Sequence, residues 1–253
     1  MKPAALAAAV AALALLTGCG AEESAAPTTG TETAPSAGTT ALSIYLLREG
    51  KVWPALREVE ETQAVASAAL GELLAGPTSE EEAELGFSSA IPDGIELQSV
   101  SVEDGVARVQ LSDELPHEAL AQVVYTASQF ATVGSVEVGG ESFTRGDFED
   151  VTPAILVESP LAFEDVDNPL RAVGTANTFE ATFQYELTDT DGRIVDQGFV
   201  TATSGSGERG TFDFTTNEYE IPFDGVGALF VFELSAEDGS RINLVEIPVR
   251  MSR

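Results

Sequence analysis

The chain has 253 residues and carries 42 Asp and Glu side chains against 12 Lys and Arg, a formal net charge of −30. Such an acidic chain argues against nucleic acid as a partner, because phosphate contacts need a basic face, and it repels anionic lipid headgroups as well. With 43% hydrophobic residues it can still build cores, and its length suits two domains.

The chain opens with Lys2 and an apolar run over residues 4–16. That run is shorter than the roughly 20 helical residues a bilayer span needs, and it reads as a secretory signal. The only cysteine, Cys19, follows it, with no second thiol for a disulfide and no histidine cluster for a metal site. Leu16-Thr17-Gly18-Cys19 resembles the bacterial lipobox, in which a small residue precedes a cysteine that is acylated on sulfur and becomes the new N-terminus. The resemblance implies a signal peptide over residues 1–18, lipidation of Cys19 with palmitate-like chains, and a place at the cell membrane on its extracytoplasmic face. One acyl chain binds only marginally, so a diacyl or triacyl cysteine suits permanent attachment. Residues 19–41 are rich in Ala, Thr, Ser, Gly and Pro and contain no large apolar side chain, which predicts a disordered tether with an r.m.s. span of roughly 25 Å.

Structure is expected to begin at Leu42, with a strand to Leu47, a turn at Glu49-Gly50 and a second strand from Val52 to Val59. Thr62 is placed to cap a helix whose apolar positions Val65, Ala66, Ala69, Leu70, Leu73 and Leu74 recur at helical spacing, and Gly76-Pro77 ends it. After an acidic stretch with Glu80, Glu81, Glu82 and Glu84, two strands pair around Glu103-Asp104-Gly105. A second amphipathic helix from Pro116 to Phe130 and a strand from Val133 to Val138 complete the order ββαββαβ. The stretches LLAGPT (residues 73–78), AIPDG (90–94), GVARVQLS (105–112) and VYTASQF (124–130) resemble the GerMN domain, and the likeness runs over residues 42–145. Each has a plain structural reason: a helix stop, a turn, a hairpin strand, and Tyr125 with Phe130 covering a sheet.

Residues 139–152 lack periodicity and carry four acids, so a domain boundary is expected within them. Beyond it, seven short β-prone runs separated by turn signals such as Asp191-Gly192 and Asp238-Gly239 predict an immunoglobulin-like antiparallel β-sandwich over residues 152–253. Here ILVESP (155–160), VGTANTFEATF (173–183), GFVTATSGSGERGTF (198–212) and VFELSAEDGSRIN (231–243) resemble the immunoglobulin-like domain of bacterial spore germination. The fold class is thus α+β with two domains, a GerMN-like domain followed by that sandwich. The order of parts is similar to that of many envelope lipoproteins.

No catalytic constellation stands out. The segment from Ser204 to Thr211 spaces its glycines like a phosphate loop, but it lacks the lysine and lies between two strands, so a Gly-rich β-loop with close backbones is expected. His117, the only histidine, sits at a helix start as a solvated or capping residue, and no Gly-x-Ser-x-Gly elbow is present. Asp189-Thr190-Asp191-Gly192 reads as a hairpin turn, not a calcium loop. Asp147, Glu149 and Asp150 are the most clustered carboxylates for a weak divalent site, set against a solvated linker. Arg209, one of few cations, is expected to pin the Gly-rich loop by bridging Glu180 and Glu233 from separate strands; otherwise this loop is a recognition site. The expectation is therefore a non-catalytic, membrane-anchored envelope lipoprotein with no cofactor and no bound metal. Its role is structural or interactive, with an envelope protein or the cell wall as partner, and the alternative is an accessory ligand- or metal-binding lipoprotein serving a membrane complex. An aromatic and polar pocket favours the second and a flat apolar patch the first.

Overall fold

The computed structural model describes residues 38–253. Cys19, the signal segment and nearly all of the expected tether lie outside the described residues.

Strands β1 (Thr39–Arg48) and β2 (Lys51–Glu60) form a ten-residue antiparallel hairpin that begins slightly before the expected Leu42, because Thr39 already pairs with Glu60. Glu49 and Gly50 both have positive φ, the tight turn that matches strand twist. Helix α1 (Val65–Ala75) buries Ala66, Ala69, Leu70 and Leu73, the expected stripe. Thr62 does not cap it: the N-cap is Ala64, whose N–H the Thr62 hydroxyl accepts one step before the helix. Gly76, at φ 79°, ends α1 as expected. A single π-turn over Glu81–Leu85 follows within the acidic stretch.

Strands β3 (Leu97–Glu103) and β4 (Val106–Leu111) make the expected second hairpin. Helix α2 (His117–Ala127) then crosses to β5 (Ser135–Val138), which runs parallel to β4, and a short β6 (Glu141–Phe143) extends the sheet to the order β3-β4-β5-β6. α2 is buried far around its circumference, and its polar side chains, with Gln129 just past its C-terminal end, serve the free edge of β1. Gln122 Nε2 donates to the Tyr45 carbonyl at 3.0 Å, Thr126 Oγ1 accepts from Tyr45 N at 2.9 Å, and Gln129 Oε1 accepts from Ser43 N at 2.9 Å. The spacing i, i+4, i+7 puts these three on one helical face, where they stand in for a missing strand. Gln122→Ala is expected to lower stability by about 2 kcal/mol, since it strands both the Tyr45 carbonyl and Ala90 N–H, and urea unfolding measures it.

The second half is a two-sheet sandwich built from β7 (Ile155–Ser159), β8 (Asp165–Val166), β9 (Arg171–Ala176), β10 (Thr182–Thr188), β11 (Ile194–Thr201), β12 (Gly210–Thr215), β13 (Gly225–Leu234) and β14 (Arg241–Met251). The sheets are ordered β11-β10-β13-β14-β8 and β12-β9-β7. All seven expected strands are present. The two-residue β8, parallel to the end of β14, is the addition. Ile155, Val157, Phe183, Leu229, Val231, Val245 and Val249 fill the space between the sheets. The Gly-rich loop brings backbones together as its composition suggested: a Cβ on Gly205 would lie 2.5 Å from the Thr178 carbonyl oxygen, and one on Gly210 would lie 2.2 Å from Ser204 N.

Candidate functional site

Residues 139–152 are not the open linker expected from their composition. They form β6 and a 3₁₀ segment over Arg145–Val151, and Phe148 and Val151 are buried in the N-terminal core. The aperiodic sequence hid this because a 3₁₀ turn with two buried side chains leaves no repeat to read. β7 then belongs to both halves. Ile155 and Val157 point into the sandwich, whereas the alternating Leu156 is fully buried in the N-terminal core. Two residues on from Leu156, a bulge at Glu158 aims that carboxylate at Arg145. Arg145 Nη1 donates to Glu158 at 2.6 Å, and its guanidinium carbon lies 4.7 Å from the Tyr125 ring centre and 5.2 Å from that of Tyr45. The Tyr45 hydroxyl also donates to Glu158. Burial, then the neighbouring Glu158 charge, pushes that hydroxyl well above its usual range, so it remains a donor. Residues 38–253 accordingly belong to one compact unit.

Arg209 is a structural residue of the same seam, and its partner is not the expected one. It makes a bidentate pair with Glu149, at 2.8 and 3.0 Å, and donates to the Pro153 carbonyl at 2.8 Å. Glu180 and Glu233 do not reach it. Glu233 accepts from Phe179 N and from the Asn243 amide, and Glu180, at φ 54°, donates its backbone N–H to Ser206 Oγ. The error came from seeking Arg209's partner inside the sandwich motifs, when the carboxylate stands in the segment read as solvated. Asp147, Glu149 and Asp150 are engaged separately, in the capping box with Thr144, with Arg209, and with His117. Among the described residues no three His, Cys, Asp or Glu side chains gather as a metal site. His117, half-exposed, packs on the Phe148 ring and caps nothing. Asp189 Oδ1 accepts the N–H groups of Asp191 and Arg193, the hairpin chemistry expected of that turn.

The outer face of the five-stranded sheet was not anticipated from the sequence. Phe199 on β11 lies opposite Gln184 on β10, which lies opposite Phe232 on β13, so all three share one face. Val231 and Val245 pair inward, which turns Phe232, Leu234 and Leu244 outward beside them. Phe199 is 75% exposed and Leu244 52%. Arg241 lies 4.3 Å over the Phe232 ring and pairs with Glu186 at 2.6 Å. The readable signal was a phenylalanine next to the inward Val200 in a strand whose neighbouring outward residues, Gln197 and Thr201, are polar.

Residues 43–141 match the family model for sporulation and spore germination, and residues 154–240 match that for the immunoglobulin-like domain of bacterial spore germination. The chain carries one domain of each family. Among solved structures, the chain is similar to the tandem GerMN domains of the sporulation protein GerM from Bacillus subtilis at 21% identity and a TM-score of 0.35, covering 44% of this chain and 42% of that one. The first GerMN domain of the same protein matches at 23% identity and a TM-score of 0.34, covering 42% of this chain and 86% of that one. A putative lipoprotein from Clostridium perfringens matches at 14% identity and a TM-score of 0.28, with coverage of 44% and 90%. No curated protein matches the chain. Among the described residues no helix is long and apolar enough to cross a membrane.

Arg209→Ala is therefore expected to loosen the immunoglobulin-like germination domain where it meets the GerMN domain, at a cost of about 1–2 kcal/mol because Glu149 is partly solvated. Partial burial works to raise the Glu149 carboxyl, but the hydrogen bonds from Arg209 and Asn177 outweigh it and hold the group below its usual value. A carboxyl depressed in the folded state stabilises fully above its unfolded value, about 4.3, and the contribution fades as pH falls through the lower folded value. The Arg209→Ala penalty should thus be seen at pH 7 and shrink on acidification below about 4, as read by denaturant unfolding at each pH.

Proposed function

We propose that this chain is a non-catalytic, lipid-anchored envelope protein that docks a protein partner on the outer face of its sandwich, in the class of assemblies to which sporulation and germination proteins belong. The observation that carries the reading is the outer face of the five-stranded sheet, where Phe199 on β11, Leu234 on β13 and Leu244 on β14 are exposed and flank Phe232, itself only 2% exposed. Exposed large apolar side chains grouped on one sheet face mark interaction surfaces more often than accidents of folding. The fitting partner has an apolar patch rimmed by Lys and Arg, because this chain carries a net charge of −30 and Glu186 lies beside these side chains. The lipobox supports attachment through Cys19 on the extracytoplasmic side. That both families are described by germination and not by a reaction supports the absence of catalysis.

A photo-crosslinking residue at position 199, in membranes of intact cells, is expected to capture a protein through a segment with apolar residues flanked by basic ones. The same probe at Ser101, on the polar sheet of the other domain, should not. Leu244→Glu should abolish the product at 199 while leaving thermal unfolding unchanged. Equal capture at both positions, a product formed only with a second copy of this chain, or persistence in Leu244→Glu each overturns the reading.

A further inference from the structure

We infer that a crevice where the two domains meet binds a small organic cation with an apolar body, an aromatic or alkyl amine. The crevice encloses about 340 Å³, in the range of small-molecule sites, which favour domain interfaces. Its walls come from both domains: Phe87 and the π-turn on the GerMN side, and Phe163, in the loop between β7 and β8, on the sandwich side. The two arginines that line it are already engaged. Arg57 is held by Glu81, and Arg250 donates to the Phe163 carbonyl and lies over the Phe163 ring. Glu58, Glu80 and Glu84 also line it, and none of them is in an ion pair within the described residues. Arg250 has no carboxylate partner among the described residues and offsets one of these three charges, so the lining is still negative on balance, and it stands beside the Phe87 and Phe163 rings, of a kind that attracts cations. An ammonium group on a flat or alkyl body satisfies both, whereas a carboxylate ligand meets three like charges against the single cation of Arg250.

The test uses the full chain in detergent at about 150 mM salt, where exposed charges farther apart than about 8 Å are screened. Saturation-transfer NMR is recorded with benzylamine, with benzyl alcohol and benzoate as shape-matched controls. Benzylamine is expected to receive saturation at least five-fold above either control. The doubly substituted Glu80→Gln/Glu84→Gln should reduce that signal at least five-fold, and Phe163→Ala should reduce it as well. Glu137→Gln/Glu141→Gln, which removes the same charge from the four-stranded sheet, should leave it unchanged. Equal saturation of benzoate or benzyl alcohol, an unaltered signal in Glu80→Gln/Glu84→Gln, or an equal loss in Glu137→Gln/Glu141→Gln overturns the assignment, the last by showing attraction to the acidic chain as a whole.

Discussion

Arg57→Met is expected to cost about 3–5 kcal/mol, because it leaves Glu81 buried with no countercharge. The two side chains are 10% and 14% exposed, the least solvated ion pair among the described residues, and the guanidinium meets the carboxylate twice, at 2.5 and 2.8 Å. Arg57 also donates to the Gly76 carbonyl at 3.3 Å, where α1 ends, and Glu81 accepts Thr78 N–H at 2.8 Å. The pair therefore ties β2, the end of α1 and the π-turn into one corner. Burial works to raise the Glu81 carboxyl, yet the bonds from Arg57 and Thr78 prevail and hold it below its usual range. Its contribution is complete above the unfolded value and disappears as pH falls through the folded one. Arg57→Met should then be most damaging at pH 7 and progressively less so as acidification puts a proton on Glu81. The double substitution Arg57→Met/Glu81→Leu should recover most of the loss, since two apolar groups leave no stranded charge. A single substitution that costs under about 1 kcal/mol at pH 7 would show the corner to be solvated like an ordinary surface pair.

The sequence revealed those parts of the fold that repeat. The helical stripe from Val65 to Leu74, the hairpins at Glu49-Gly50 and Asp104-Gly105, and the seven sandwich strands all announce themselves by period and turn chemistry. Elements with no period escaped. The 3₁₀ segment that buries Phe148 was indistinguishable from a polar linker, and β8 is too short to leave a pattern. The polar face of α2 was legible in principle: Gln122, Thr126 and Gln129 fall at helical spacing, but side chains that serve a strand edge look like a solvated face until the strand is in place. Arg209 was expected to bridge Glu180 and Glu233, yet its partner Glu149 lies 60 residues away in a segment without pattern. Nor could alternation reveal that the outward face of β7 is covered. Leu156 and Val157 are equally apolar in sequence, and only the tertiary arrangement assigns them to different cores.

That assignment makes Leu156 the residue on which the union of the two domains most depends. Its side chain leaves the sandwich strand β7 and is fully buried in the N-terminal core. β9 supports it from behind: Gly174 has no side chain, and a Cβ there would lie 2.1 Å from the Leu156 carbonyl oxygen, so the strands approach as only glycine permits. Leu156→Ala removes apolar volume from a place with little freedom to collapse, and a loss of about 2–5 kcal/mol is expected. Val157→Ala, one residue on, empties space in the sandwich instead, at about 1–2 kcal/mol. The two differ in kind as well as size. With the seam intact, calorimetry should show one cooperative transition, because unfolding either domain exposes Leu156 or strips Arg145 and Arg209 of their partners. Leu156→Ala weakens that coupling and should split the transition in two, the GerMN domain melting first, whereas Val157→Ala should lower a single Tm. Two transitions in the unaltered protein, or a Leu156→Ala change within about 0.5 kcal/mol, would mean that the domains merely touch and that β7 belongs to the sandwich alone.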